Sequence, residues 1–172
     1  INFYVSEEKR PVADLRFESA VTLNQNSDVT IIIDRTLESA KYSSAIETAV
    51  REISSSMGKD AKLTIISSSS LPVIEYSGNP EGCKNFSVKK LNSQIVKETA
   101  LDNSIRLATN NLVLDSTKRA VILLTTGKIS QNAFSKYPVA EVAAYLGNNG
   151  VSFSTIMLQQ GAVDSQIEYL TS

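Results

Sequence analysis

The sequence predicts an α/β domain: a Rossmann-like, mostly parallel central sheet with helices on both faces. Three observations lead there. Residues 29–33 (VTIII) and 120–124 (AVILL) are short β-branched or aliphatic runs without apolar–polar alternation, as expected of strands covered on both faces. Amphipathic stretches of helical period separate the strand-like runs, so successive strands need crossovers and run parallel. The turns after Ile33, Ile66 and Leu124 are polar, and in such sheets ligands bind beyond the carboxyl ends of the strands.

Taken in order, residues 28–39 (DVTIIIDRTLES) run a buried strand into Asp34, Thr36 and Glu38 at alternate positions. A helix is expected over 40–57, with Ala45, Ile46, Ala49, Val50 and Ile53 on one face, and Gly58 as its stop. Residues 63–67 read as the next strand. LPVIEYS, 71–77, reads as a third, with Pro72 near its start favouring a sheet edge. GNPEG, 78–82, is a turn cluster. Leu101, Ile105, Ala108 and Leu112 recur at helical spacing before the strong strand RAVILLTTG, 119–127. Pro138 suits the first turn of a helix whose stripe is Val139, Val142, Ala143 and Leu146. That helix ends at GNNG, 147–150. A last strand over 151–158 precedes a helix over 164–170, expected to be truncated by the end of the sequence. Residues 28–172 thus read as one domain. Residues 1–27 differ: strand-like alternation at 2–5, and again around Leu15, Phe17 and Val21, flanks a polar turn at 7–10. They read as an N-terminal β extension, either a pendant hairpin or the end of a truncated β module.

Composition narrows the function classes. A chain of 172 residues suffices for one domain with a sizeable core. Net charge is −1 with lysine and arginine scattered, which argues against a nucleic-acid or anionic-membrane surface. No apolar run approaches the ~20 residues needed to span a bilayer. The start at Ile1, without a signal-peptide pattern, suggests an excised fragment. Cys83 is the single cysteine, and there is no histidine. Internal disulfides, Ser-His-Asp or Cys-His nucleophiles and the usual zinc sites are thereby removed. Any metal must be held by oxygen ligands, which suits Mg, Mn or Ca. TTGKIS, 125–130, is not a Walker loop, because position 122 carries isoleucine where that loop needs glycine. The serine runs at 54–56 and 67–70 read as helix-end and loop residues. Asn85-Phe86-Ser87 forms a glycosylation sequon.

Five segments together resemble the von Willebrand factor A domain family over roughly residues 28–172. DVTIIIDRTLES is similar to the first strand and its D-x-S-x-S metal loop, and KLTIISSSS to the second strand. ETALDNSIRLA is similar to the threonine loop and its helix, and RAVILLTTGK to the strand that ends in T-D-G. LGNNGVSFSTIML is similar to the late helix-turn-strand. The resemblance implies a crest where Asp34, Thr36, Glu38, Thr99 and Thr126 converge. Asp34, Thr36 and Thr99 match the family's metal ligands. Glu38 stands where a second hydroxyl is usual, and could supply a further carboxylate. Thr126 replaces the second aspartate, so the metal-ion-dependent adhesion site is degenerate. No cofactor, or at most weak Mg or Ca, is expected. The implied function is a non-catalytic, metal-independent protein–protein interaction or adhesion module. Its partner would be another protein, with neither nucleic acid nor direct membrane insertion involved, and the resemblance favours an extracytoplasmic or surface-attached location. One alternative is a structural domain of a larger secreted or surface chain, with the site idle. Another is a phosphate-ester hydrolase using Asp34 at the strand end, with Lys128 as the phosphate-binding cation.

Overall fold

The computed structural model describes residues 2–4, 27–113 and 118–172. Six strands form one sheet: β1 (Asn2–Tyr4), β2 (Ser27–Asp34), β3 (Leu63–Ser68), β4 (Pro72–Gly78), β5 (Lys118–Thr125) and β6 (Val151–Met157). Their order across the sheet is β1-β6-β5-β2-β3-β4. Every pairing is parallel except β3–β4, which is a hairpin with a register shift between Ile65 and Ile66. The helices are α1 (Leu37–Ala40), α2 (Ser43–Ser56), α3 (Leu101–Leu112), α4 (Val139–Asn148) and α5 (Ser165–Thr171).

The two unalternating apolar runs are the inner strands β2 and β5, adjacent in register from Ser27↔Lys118 to Ile33↔Leu124. Their side chains divide by the strand period of two between two cores. Val29, Ile31, Ile33, Ile122 and Leu124 pack with Ile46, Ala49, Val50 and Ile53 of α2. Ile32, Val121 and Leu123 pack on the other face with Leu101, Ile105 and Ala108 of α3, Val142 and Leu146 of α4, and Ile167 of α5. Both faces of these strands are buried, which is why neither run alternates, with Thr30 as the one polar residue in them. Pro72 does begin an edge strand, because among the described residues β4 has no neighbour beyond it.

Some expectations need correction. The helix expected over 40–57 is α2, which starts only at Ser43: Thr36 caps the separate short helix α1 ahead of it, and Tyr42, in a non-helical conformation, resets the chain between the two. Gly58 does not stop α2. The chain leaves the helix at buried Met57 in an extended conformation, and Gly58 is not among the left-handed glycines. Ser68, expected in a loop after a strand ending at Ser67, closes β3, and both serines are buried. At the other end of the chain, Asn2–Tyr4 joins the main sheet, pairing with Thr155–Met157 of β6. The second strand expected around Leu15, Phe17 and Val21 lies outside the described residues. No described helix is long and apolar enough to cross a membrane.

Candidate functional site: the carboxyl-edge crest

Because β2, β3 and β5 run parallel, their carboxyl ends share one edge of the sheet. Asp34 ends β2 opposite Ser68 of β3, and Thr126 follows β5 on the other side of β2. Asp34 and Thr126 therefore lie at the same edge although 92 positions (126 − 34) separate them. A bridge between Thr36 and Val96 draws the segment before α3 onto this edge. The Ala100 N–H donates to the Ser69 carbonyl at 2.8 Å and places Thr99 there.

Asp34 is 1% exposed, and neither carboxyl oxygen has a hydrogen-bond partner of ordinary geometry. Burial pushes its pKa up from 3.8 to about 7. The nearby Thr99 hydroxyl favours the charged form but offsets only part of that desolvation. The surrounding hydroxyls are otherwise engaged. The Thr36 hydroxyl accepts from the Ser39 N–H at 3.2 Å and donates to the Ser39 hydroxyl at 3.2 Å. The Thr126 hydroxyl accepts from the Lys128 N–H at 3.4 Å, and the Thr125 hydroxyl from the Gly127 N–H at 3.1 Å. Thr99 donates its N–H to the Ser130 hydroxyl at 3.0 Å, and the Ser130 hydroxyl donates to the Thr99 carbonyl at 3.2 Å.

Glu38 does not join the other four. The chain has already turned into α1 at Leu37, so position 38 sits in the first helical turn. There the side chain is 52% exposed and meets Lys41 at 3.4 Å. Ser39, buried beside Thr36, takes the inward position. An N-cap hydroxyl followed three residues later by the residue whose N–H it satisfies was the available sequence signal. Three further groups carried little signal. Ser130 locks Thr99. Glu75 accepts from Ser67 at 2.7 Å, and from the backbone of Asn92 at 2.9 Å and of Ser93 at 3.1 Å. Burial alone would raise the Glu75 pKa, but these hydrogen bonds outweigh it and hold it below the usual value. Beside it, Arg35 donates to Ser93 at 3.1 Å, so the segment leading to Thr99 is clamped from two sides. The third group is Asp102, buried in α3, which accepts from the N–H groups of Asn103, Lys136 and Tyr137. Cys83 is buried, with its thiol pushed up to about 11, which makes it a poor nucleophile.

Gly127 shapes the turn after β5. Its φ of 91° is left-handed, and a Cβ there would meet Met157 Cε at 2.5 Å and the Ala162 carbonyl oxygen at 2.8 Å. Gly127→Ala should cost about 1–3 kcal/mol in chemical denaturation, from backbone strain together with a clash against backbone. An unchanged midpoint would mean that the turn relaxes freely.

A divalent cation fits this donor set poorly. Among the described residues no three acidic or cysteine side chains gather. Asp34 is the single carboxylate at the inner crest, Thr36 is spent on capping, and Glu38 faces solvent. The orphaned Asp34 oxygens favour a cation, yet a proton can neutralise the same group.

No family model matches the chain, and no curated protein does. Solved structures do match. One is BatB from Bacteroides thetaiotaomicron, 21% identical, covering 76% of this chain and 66% of that one with a TM-score of 0.55. Proximal thread matrix protein 1 of the mussel byssus is 14% identical, covering 85% of this chain and 39% of that one at 0.67. Manganese-loaded TRAP of Plasmodium vivax is 13% identical, covering 86% and 62% at 0.58. This chain has the von Willebrand factor A fold. At these identities the likeness is one of fold, and the chain spans 66% of BatB and 39% of the mussel protein. The mussel protein is also known with a zinc-occupied metal-ion-dependent adhesion motif. In the A fold of this chain, the edge where such a motif sits by resemblance carries one buried carboxylate among hydroxyls.

Proposed function

We propose that this A-fold domain is a non-catalytic protein-binding module that engages its partner at the carboxyl-edge crest without a resident cation. The observation that carries this reading is the charge at the inner crest: Asp34 is alone there, with Thr126 in place of a second acid and Glu38 turned out to Lys41. Magnesium in proteins is held by one or two carboxylates in near-octahedral geometry. Burial raises the pKa of the single carboxyl at the inner crest, so protons compete with magnesium for it. The hydrolase alternative gains no support, because a nucleophile must be reachable and Asp34 is buried. An extracytoplasmic or surface-attached address goes with the same reading.

Thermal unfolding in EDTA, Mg, Ca and Mn, with Asp34→Ala in parallel, tests it. A ligand at a hundredfold its Kd adds about 2.7 kcal/mol, or several degrees in a domain of this size. We expect no such shift in millimolar Mg. A rise of several degrees that disappears in Asp34→Ala would replace this reading with metal-dependent adhesion.

A further inference from the structure

Between Gly78, the end of β4, and Leu101, the start of α3, the chain forms only two short 3₁₀ turns, Pro80–Cys83 and Val88–Lys90. Connections this long without regular structure are uncommon in a compact domain, and those that occur are usually functional. Cys83 and Thr99 are each 2% exposed, yet no residue from 84 to 98 is buried. Phe86, Val88 and Leu91 only lean, half-buried, on the α2-side core. The segment is a strap with two seated ends and a lightly packed middle.

A row of clasps reaching out from the body of the domain holds the middle down. Arg51 of α2 donates to the Phe86 carbonyl at 2.7 Å, and Glu47, one turn earlier, accepts from the Val88 N–H at 2.8 Å. Glu75 of β4 takes the N–H groups of Asn92 and Ser93. The Ser69 hydroxyl donates to the Gln94 carbonyl at 2.7 Å, and the Val96 N–H donates to the Arg35 carbonyl at 2.9 Å. The clasps of Arg51, Glu47 and Glu75 involve a charged group, which makes such hydrogen bonds roughly twice as strong as neutral ones. They favour the closed strap. Its thin apolar seat is what lets it go, because segments with few buried contacts open locally while the core stays folded.

We propose that residues 84–98 open and close as one cooperative strap, hinged at Cys83 and Thr99, while the sheet stays folded. Opening frees Glu47, Arg51 and Glu75 together and lifts Phe86, Val88 and Leu91 off their seat. The unit is cooperative because no buried side chain between the clasps can hold one stretch down once its neighbours let go. The same motion parts Val96 from Thr36, so the crest has all its segments only when the strap is closed. That consequence rests on the crest being the binding face. The opening itself does not.

Amide hydrogen exchange of the intact protein, read residue by residue, is the test. The amides of Val88, Asn92, Ser93 and Val96 should share one opening equilibrium, at least about a hundredfold more open than that of β2. Low urea should change it little, since opening exposes little surface. Glu75→Gln should speed exchange at all four by about tenfold. Glu47→Gln should speed Ser93 and Val96 as much as Val88, although its own clasp reaches only Val88. Asp102→Asn, whose contacts survive opening, should speed the β2 amides and leave those of the strap unchanged. Strap amides as slow as those of β2, or sped equally by Asp102→Asn, would overturn the proposal, because the strap would then open only with the whole domain. A response to Glu47→Gln at Val88 alone would overturn the single unit. Wild type and Glu47→Gln decide the matter even where Glu75→Gln does not fold. No partner enters the measurement, so a partner that binds away from the crest would sink the proposed function and leave the strap standing.

Discussion

Replacing Asp34 by asparagine should stabilise the protein by about 3–4 kcal/mol at pH 8 and by little at pH 4. The sign follows from the direction of the shift. The Asp34 pKa rises from 3.8 to about 7 on folding, so the native state holds its proton more tightly than the unfolded chain. Stability then falls as pH rises through that interval, and the full penalty is present above pH 7. Between pH 8 and pH 5 the wild-type protein should gain about 2–3 kcal/mol from this one group. The measurement is unusually clean, because the chain has no histidine and ordinary side chains keep constant charge over that range. Cys83 titrates far above it. Urea denaturation in EDTA from pH 4 to pH 8 reads the effect directly. A wild-type profile as flat as that of Asp34→Asn would mean that the carboxyl is solvated.

Asp102→Ala should have the opposite sign and a similar size, costing about 3–5 kcal/mol. Its carboxylate accepts from the Asn103 N–H at 2.7 Å and from the Lys136 and Tyr137 N–H groups at 2.9 Å each. Hydrogen bonds to a charged acceptor contribute about 1.5–3 kcal/mol, and buried donors left unpaired cost about 1–3 kcal/mol each, not additively. Asp102→Asn should lose roughly half as much, since one oxygen can still accept from residues 136 and 137 while the amide faces a donor. Equal losses for alanine and asparagine would mean that packing, and not acceptance, sets the cost. The same contacts tie α3 to the segment leading into α4, beside the crest, so this variant also asks whether that segment needs a pinned neighbour.

The parts legible in the sequence are those whose cause is local or periodic. Two runs without alternation could be satisfied only by inner strands, and Pro72 could not donate in a sheet interior. The end of α2 was misread because Gly58 has the right composition for a stop, whereas burial of Met57 set the exit. At the crest, Thr36, Thr99 and Thr126 were named from the resemblance and not from periodicity, whereas the ends of β2 and β5, with Asp34 and the turn after Leu124, were legible because strand ends of a parallel sheet share an edge. Glu38 was not, because counting at alternate positions assumes a strand and the chain had already become a helix. Nor was the pinning of Thr99 by Ser130, which depends on a pair 31 positions apart and leaves no periodic trace.

The edge strand β1 has a consequence for how the molecule assembles. Asn2 pairs with Thr155, 153 positions later (155 − 2), while each of the other neighbouring strand pairs lies closer along the chain. The pairing returns only three residue pairs and cannot form before β6 has been made. During synthesis β1 emerges before all its sheet-mates and has no partner until β6 exists. Of the six described strands, the first in the chain thus depends on the last.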